Sequence, residues 1–125
     1  MKARIFFFLM LSLLLFTGCG EQHQGKTLIR NFLNQNLTYG DIEEDHYGQL
    51  DSTTLVTNER VLKMREATSR LPEFHRNISY GSPTPTLLFI TVKYKIVGDQ
   101  GKEQNYQQTF YMDKELTQIV AFKNN

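Results

Sequence analysis

Leu88-Phe89-Ile90-Thr91-Val92-Lys93-Tyr94-Lys95-Ile96 is the stretch whose reading decides the fold. Apolar residues at the even positions alternate with Phe89, Thr91, Lys93 and Lys95, and a period of two marks a strand with one buried face. Gly98-Asp99-Gln100-Gly101 then makes a turn. Beyond it Tyr106, Gln108, Phe110 and Met112 alternate with Asn105, Gln107, Thr109 and Tyr111 as a second strand. Asp113-Lys114 offers a tight reversal before a third strand over Leu116 to Phe122. A meander with one apolar face needs a cover, and the chain upstream supplies helices for it.

The first helix is expected over Lys26 to Leu37, where Leu28, Ile29, Phe32, Leu33 and Leu37 recur at three- and four-residue spacing. Gly40 is placed to stop it. An acidic stretch with Asp41, Glu43, Glu44 and Asp45 follows, and a short edge strand is expected around His46 to Leu50. Thr57 or Asn58 can cap a second helix with Val61, Met64, Thr68 and Leu71 on one face. That helix closes before Pro72, because the residue preceding a proline resists helical geometry. Gly81-Ser82-Pro83-Thr84-Pro85 carries the chain on to the sheet. The reading is α+β: two helices packed on one face of a three- or four-stranded antiparallel meander, in a single domain over residues 26–125.

The N-terminus states an address. Lys2 and Arg4 precede an apolar run from Ile5 to Phe16, and Thr17-Gly18 are small residues at a cut site. This is the layout of a secretory signal, and the run is too short to cross a bilayer, which takes on the order of 20 residues. Leu15-Phe16-Thr17-Gly18-Cys19 resembles the lipobox of bacterial lipoproteins, with Leu15 one step earlier than the usual place and Phe16 in its stead. The resemblance implies a signal peptide over residues 1–18, cleavage after Gly18 and a palmitate-type lipid on Cys19. It also implies membrane attachment through that lipid. Cys19 is the only cysteine in the chain, so no disulfide is available and stability must come from a packed core. Loss of Lys2 and Arg4 turns the balance of 14 basic and 13 acidic residues into a slight acid excess. No basic surplus is left for nucleic acid. Gly20-Glu21-Gln22-His23-Gln24-Gly25 has no apolar residue and reads as part of a tether over residues 19–25. Gly20, in place of the Asp that retains enteric-type lipoproteins at the inner membrane, implies the outer membrane. The lone Glu21 favours a periplasm-facing domain over a surface-exposed one.

Two short motifs extend the resemblance. Leu50-Asp51-Ser52-Thr53 and the hairpin Phe110-Tyr111-Met112-Asp113-Lys114-Glu115-Leu116 are similar to motifs of small, functionally uncharacterised bacterial lipoproteins common in gut anaerobes. The same element order is shared by cystatin-like cones and by two-helix, three-strand assembly lipoproteins, although the Gly-Met helix start of the latter is absent. Fold alone does not settle activity.

The chemistry-bearing residues are sparse. His23, His46 and His75 are far apart, whereas metal ligands recur at two- to four-residue spacing. His46 beside Asp41, Glu43 and Asp45 reads as a solvated acidic turn. Ser52, Ser69, Ser79 and Ser82 lie outside any Gly-x-Ser-x-Gly elbow. Nothing implies a cofactor or a resident metal. Six tyrosines without tryptophan are the suggestive feature. Tyr111 falls on the face opposite Tyr106, beside Phe89, so Phe89 and Tyr111 are the expected partner surface on an uncovered sheet face. Asp51-Ser52-Thr53 resembles an O-glycosylation acceptor, with Ser52 as the modified residue; a plain Asx turn is the competing reading. The expected function is a non-catalytic, lipid-anchored binding or scaffold module that meets an envelope protein or a glycan. The alternatives are a cone-shaped small-molecule pocket or enzyme, and an inhibitor of a secreted hydrolase.

Overall fold

The computed structural model describes residues 20–125. The expected signal peptide and Cys19 lie outside the described residues. The elements run α1 (residues 20–36), β1 (Asp41–Tyr47), β2 (Asp51–Thr53), α2 (Asn58–Thr68), β3 (Leu87–Val97), β4 (Glu103–Met112) and β5 (Ile119–Asn124). All five strands join one antiparallel sheet in the order β1-β3-β4-β5. β2 pairs with Leu87 to Phe89 of β3, and β1 pairs with Val92 to Val97 farther along the same strand.

The α+β reading holds, with the sheet wider than expected. The edge strand foreseen at His46–Leu50 is two strands, β1 and β2. β3, at 11 residues, is long enough to pair with both. Tyr94 lies opposite Tyr106 and Ile90 opposite Phe110. Gly98 N donates to Lys102 O at 2.9 Å across the hairpin, where Gln100 and Gly101 take left-handed geometry. At the sheet's entrance Gly40 has φ +80, and a Cβ there would meet the Val97 carbonyl oxygen at 2.9 Å. Glycine is the residue that tolerates both conditions.

α1 covers one face. Ile29, Phe32 and Leu33 are buried against Ile90, Val92, Tyr94, Ile96, Phe110, Met112 and Phe122. Phe110 and Phe122 stack at 5.1 Å, and Phe32 meets both edge-on at 6.0 and 5.7 Å. These geometries suit the aromatic quadrupole. The expected placement of both helices on one face is corrected here. Val61 of α2 packs with Leu87, Tyr111, Val120 and Ala121. Tyr111 directly follows Phe110 on β4, and successive strand side chains point to opposite faces. α2 therefore lies on the other side, over a second, smaller apolar patch that needs its own cover. Thr57 caps α2 as foreseen, accepting from Arg60 N at 3.2 Å. Arg65 of α2 donates to Val120 O on β5 at 2.9 Å and to Gly81 O in the segment before β3 at 2.7 Å, so it ties the helix to the sheet edge and to that segment.

The expected tether is also corrected. Residues 20–25 are helical, part of α1, and tertiary contacts hold them to the domain. Gln22 Nε2 donates to Gly48 O at 3.0 Å and its Oε1 accepts from Leu50 N at 2.7 Å. Gln24 Nε2 reaches Leu116 O at 3.2 Å. Gly25 is buried where an added Cβ would stand 2.9 Å from Ile90 Cδ1, so its missing side chain lets the helix lie close on the sheet.

Candidate functional site

Two ends of the molecule gather polar and aromatic side chains. The first adjoins the start of α1. Glu21, Gln22, His23, Lys26, Tyr47, Gly48, Gln49 and Leu50 line an open cleft of about 620 Å³ between the helix and the β1–β2 connection. β1, which supplies Tyr47 to the cleft, bulges between Glu43 and His46, with Glu44 at φ 53. Within the bulge, Asp45 accepts from Arg30 Nη1 at 3.2 Å and from the Tyr47 hydroxyl at 2.9 Å. The Lys26 ammonium sits 5.7 Å from the Tyr47 ring centroid. Burial, the hydrogen bond to Asp45 and that carboxylate's charge hold the Tyr47 phenol protonated far above its ordinary range, against the opposing pull of Arg30. The phenol is thus a fixed donor, already engaged. Asp45, Arg30 and Tyr47 neutralise and orient one another, which suits a rigid wall better than proton transfer.

The second end lies past the C-terminus of α1, beside the β3–β4 turn. Tyr94 is buried, and its hydroxyl donates to Gln108 Oε1 at 2.6 Å; Gln108 Nε2 donates onward to Asn124 Oδ1 at 2.7 Å. The Tyr106 ring stacks on Tyr94 at 5.3 Å and an interplanar angle of 21°. Tyr106 and Tyr39 both donate to Gln104 Oε1, at 2.5 and 3.1 Å. Tyr39 is 46% exposed. Burial first, then the Glu73 carboxylate, pushes the Tyr106 phenol well above its ordinary range, so it too remains a donor. Glu73 is held there by its own backbone, whose carbonyl accepts from Thr38 N at 2.9 Å and from the Thr38 hydroxyl at 3.1 Å. Leu37 and Phe74 form an isolated bridge beside it.

No protein-family model matches the chain, and no curated protein or solved structure matches it.

The sites expected from the sequence fall elsewhere. Phe89 and Tyr111 do meet, with ring centroids 5.8 Å apart, but they do not form an open surface. Tyr111 is 9% exposed and Phe89 half-buried, both packed in the cluster beneath α2. The parity of the pair was legible; the helix over it was not. Ser52 is exposed on β2, and its backbone N–H donates to the Asp51 carboxylate at 2.8 Å. His46 is exposed on β1. Among the described residues no three His, Cys, Asp or Glu side chains gather as a metal site, and no helix is long and apolar enough to cross a membrane. Where a cone-shaped fold would hold a ligand, between α1 and the sheet, Phe32, Phe110 and Phe122 fill the space.

Tyr39, Glu73 and Gln104 were not reached from the sequence. One signal was present: counting outward from the Gly98–Gly101 turn pairs Tyr94 with Tyr106. Tyr39 and Glu73 come from a loop and an irregular segment, where no period points at a partner.

Proposed function

We propose that the protein is a lipid-anchored binding module of the bacterial cell envelope, with Cys19 carrying the lipid after cleavage at Gly18. The observation that carries this reading is the clamping of residues 20–25 of α1 against the sheet. The chain is helical from the first described residue, Gly20, and Gln22, Gln24 and Gly25 tie residues 20–25 to the domain. A lipid on Cys19 would therefore hold a rigid body beside the membrane with almost no slack. α1 rises 1.5 Å per residue, so residues 20–36 span about 25 Å. The tyrosine end would stand roughly that far from the bilayer, turned towards a partner. The cleft near Gln22 and His23 would lie at the headgroup level.

The resemblance of Leu15–Cys19 to a lipobox and of the Phe110–Leu116 hairpin to small bacterial lipoproteins supports the same reading; Gly20 in place of a retention Asp favours the outer membrane, and the lone Glu21 favours a periplasm-facing domain. The test is metabolic labelling with an alkyne-bearing palmitate analogue, followed by fractionation. Wild type should carry the label and sediment with membranes, and Cys19→Ser should lose both properties. A Cys19→Ser chain that still sediments with membranes would overturn the anchoring.

A further inference from the structure

We propose that Tyr39, Gln104 and Glu73 form a carbohydrate-binding platform at the end of the domain opposite the start of α1. This deepens the binding-module reading and rests on it, but needs no lipid. Three observations carry it. The Tyr39 ring is exposed yet not free to swing, because its hydroxyl is held by Gln104 and one ring edge lies against Gly98, where an added Cβ would meet it at 3.5 Å. Gln104 is itself positioned by Tyr106, whose ring rests on the buried Tyr94. The platform is therefore ordered before any ligand arrives, which lowers the entropic cost of binding.

Its unspent hydrogen-bonding groups are of the right kinds. Gln104 Oε1 accepts both phenols, leaving its amide N–H groups without a hydrogen-bond partner among the described residues. The Glu73 carboxylate takes part in no ion pair among the described residues; a hydrogen bond with the Tyr106 phenol engages part of it, its charge reaches Tyr94 as well, and its remaining lone pairs are acceptors for a ligand. An amide donor and a carboxylate acceptor beside an aromatic face suit vicinal hydroxyls above the C–H face of a pyranose ring.

The surroundings argue against a protein partner. Asp99, Gln100 and Lys102 of the turn that follows Gly98 are exposed and polar beside the single exposed ring. A stable protein interface buries about 800 Å² on each side around an apolar centre, which this patch lacks. One or two sugar rings fit it.

The test uses the full chain in detergent micelles, titrated with cellotetraose, xylotetraose, maltotetraose and chitotetraose and read by saturation-transfer NMR and calorimetry. At least one saccharide should bind at millimolar concentration or below. Tyr39→Ala should weaken that binding at least tenfold, and Gln104→Ala several-fold. Tyr39→Phe, which keeps the ring and the fold, should bind within about threefold of wild type, because stacking contributes more than the engaged hydroxyl. Circular dichroism of each variant separates lost binding from lost structure. Absence of binding by all four saccharides overturns the proposal, as does undiminished binding by a folded Tyr39→Ala chain. Saccharide binding unchanged in Cys19→Ser would show that the platform works without the anchor, so the two readings fail separately.

Discussion

The two faces of the sheet are covered by unequal means. Over the first, α1 buries Ile29, Phe32 and Leu33 in a continuous layer with Phe110, Phe122 and the even-numbered residues of β3. Over the second, α2 offers Val61 as its one fully buried apolar residue, helped by half-buried Met64. The rest of the second face is polar: Lys93, Asn105 and Gln107 are exposed, Thr91 and Thr109 bond each other at 2.9 Å, and Lys95 pairs with Glu44 and Glu103 at 3.3 and 3.2 Å. Buried apolar area is the main favourable contribution to folding, so the first face carries the stability. The second is closed by a short helix held through specific contacts, Thr57 at its start and Arg65 to β5.

The sharpest way to break this contrast is at Phe122. Phe122→Ala leaves a cavity beside Phe32, Phe74 and Phe110 and should cost about 3–5 kcal/mol in urea unfolding. A loss no larger than that from Val61→Ala would abolish the asymmetry. Val61→Ala should cost about 2 kcal/mol, and its signature is where the molecule opens. Amide hydrogens in α2 should exchange faster while those of α1 stay protected. Equal acceleration in both helices would mean that the two faces unfold as one.

Asp113 tests the turn that joins the faces. Its carboxylate accepts from Thr117 N at 2.8 Å, from Gln118 N at 2.9 Å and from the Thr117 hydroxyl. Burial opposes the charge, but these hydrogen bonds outweigh it and hold the carboxyl below its ordinary value. A depressed folded pKa adds stability that is complete above the unfolded value, near pH 4, and is lost as pH falls through the folded value. Asp113→Asn should lower stability at neutral pH by about 1–2 kcal/mol and flatten the acid limb of the stability–pH curve. An unchanged acid limb would remove Asp113 from the account. The smallest effect is expected at Thr57→Ala, about 1 kcal/mol from the lost cap, read as faster exchange at the first turn of α2 alone.

Legibility followed locality. The alternation over Leu88–Ile96 placed β3, and the hydroxyl before Asn58 placed the start of α2, because both signals lie within a few residues of what they specify. Residues 20–25 of α1 had no such signal. Gly20–Gly25 contains no apolar residue and two glycines, and glycine disfavours isolated helix. Its helicity comes from Gly48, Leu50 and Leu116, which the chain brings in from far along the sequence. Tyr39 shares this history, since its partner Gln104 is 65 residues away.

The sequence by itself determined the α+β class, the β3–β4 hairpin and its register about Gly98–Gly101, the cap of α2 and the stripe that α1 buries. Each is written in a period or a turn residue. Only the tertiary structure decided that α2 lies on the opposite face, that Phe89 and Tyr111 are covered, and that Tyr39, Gln104 and Glu73 meet. Side-chain periodicity says which residues need burial. What buries them depends on where the chain returns, and that is set by the packing of the whole sheet.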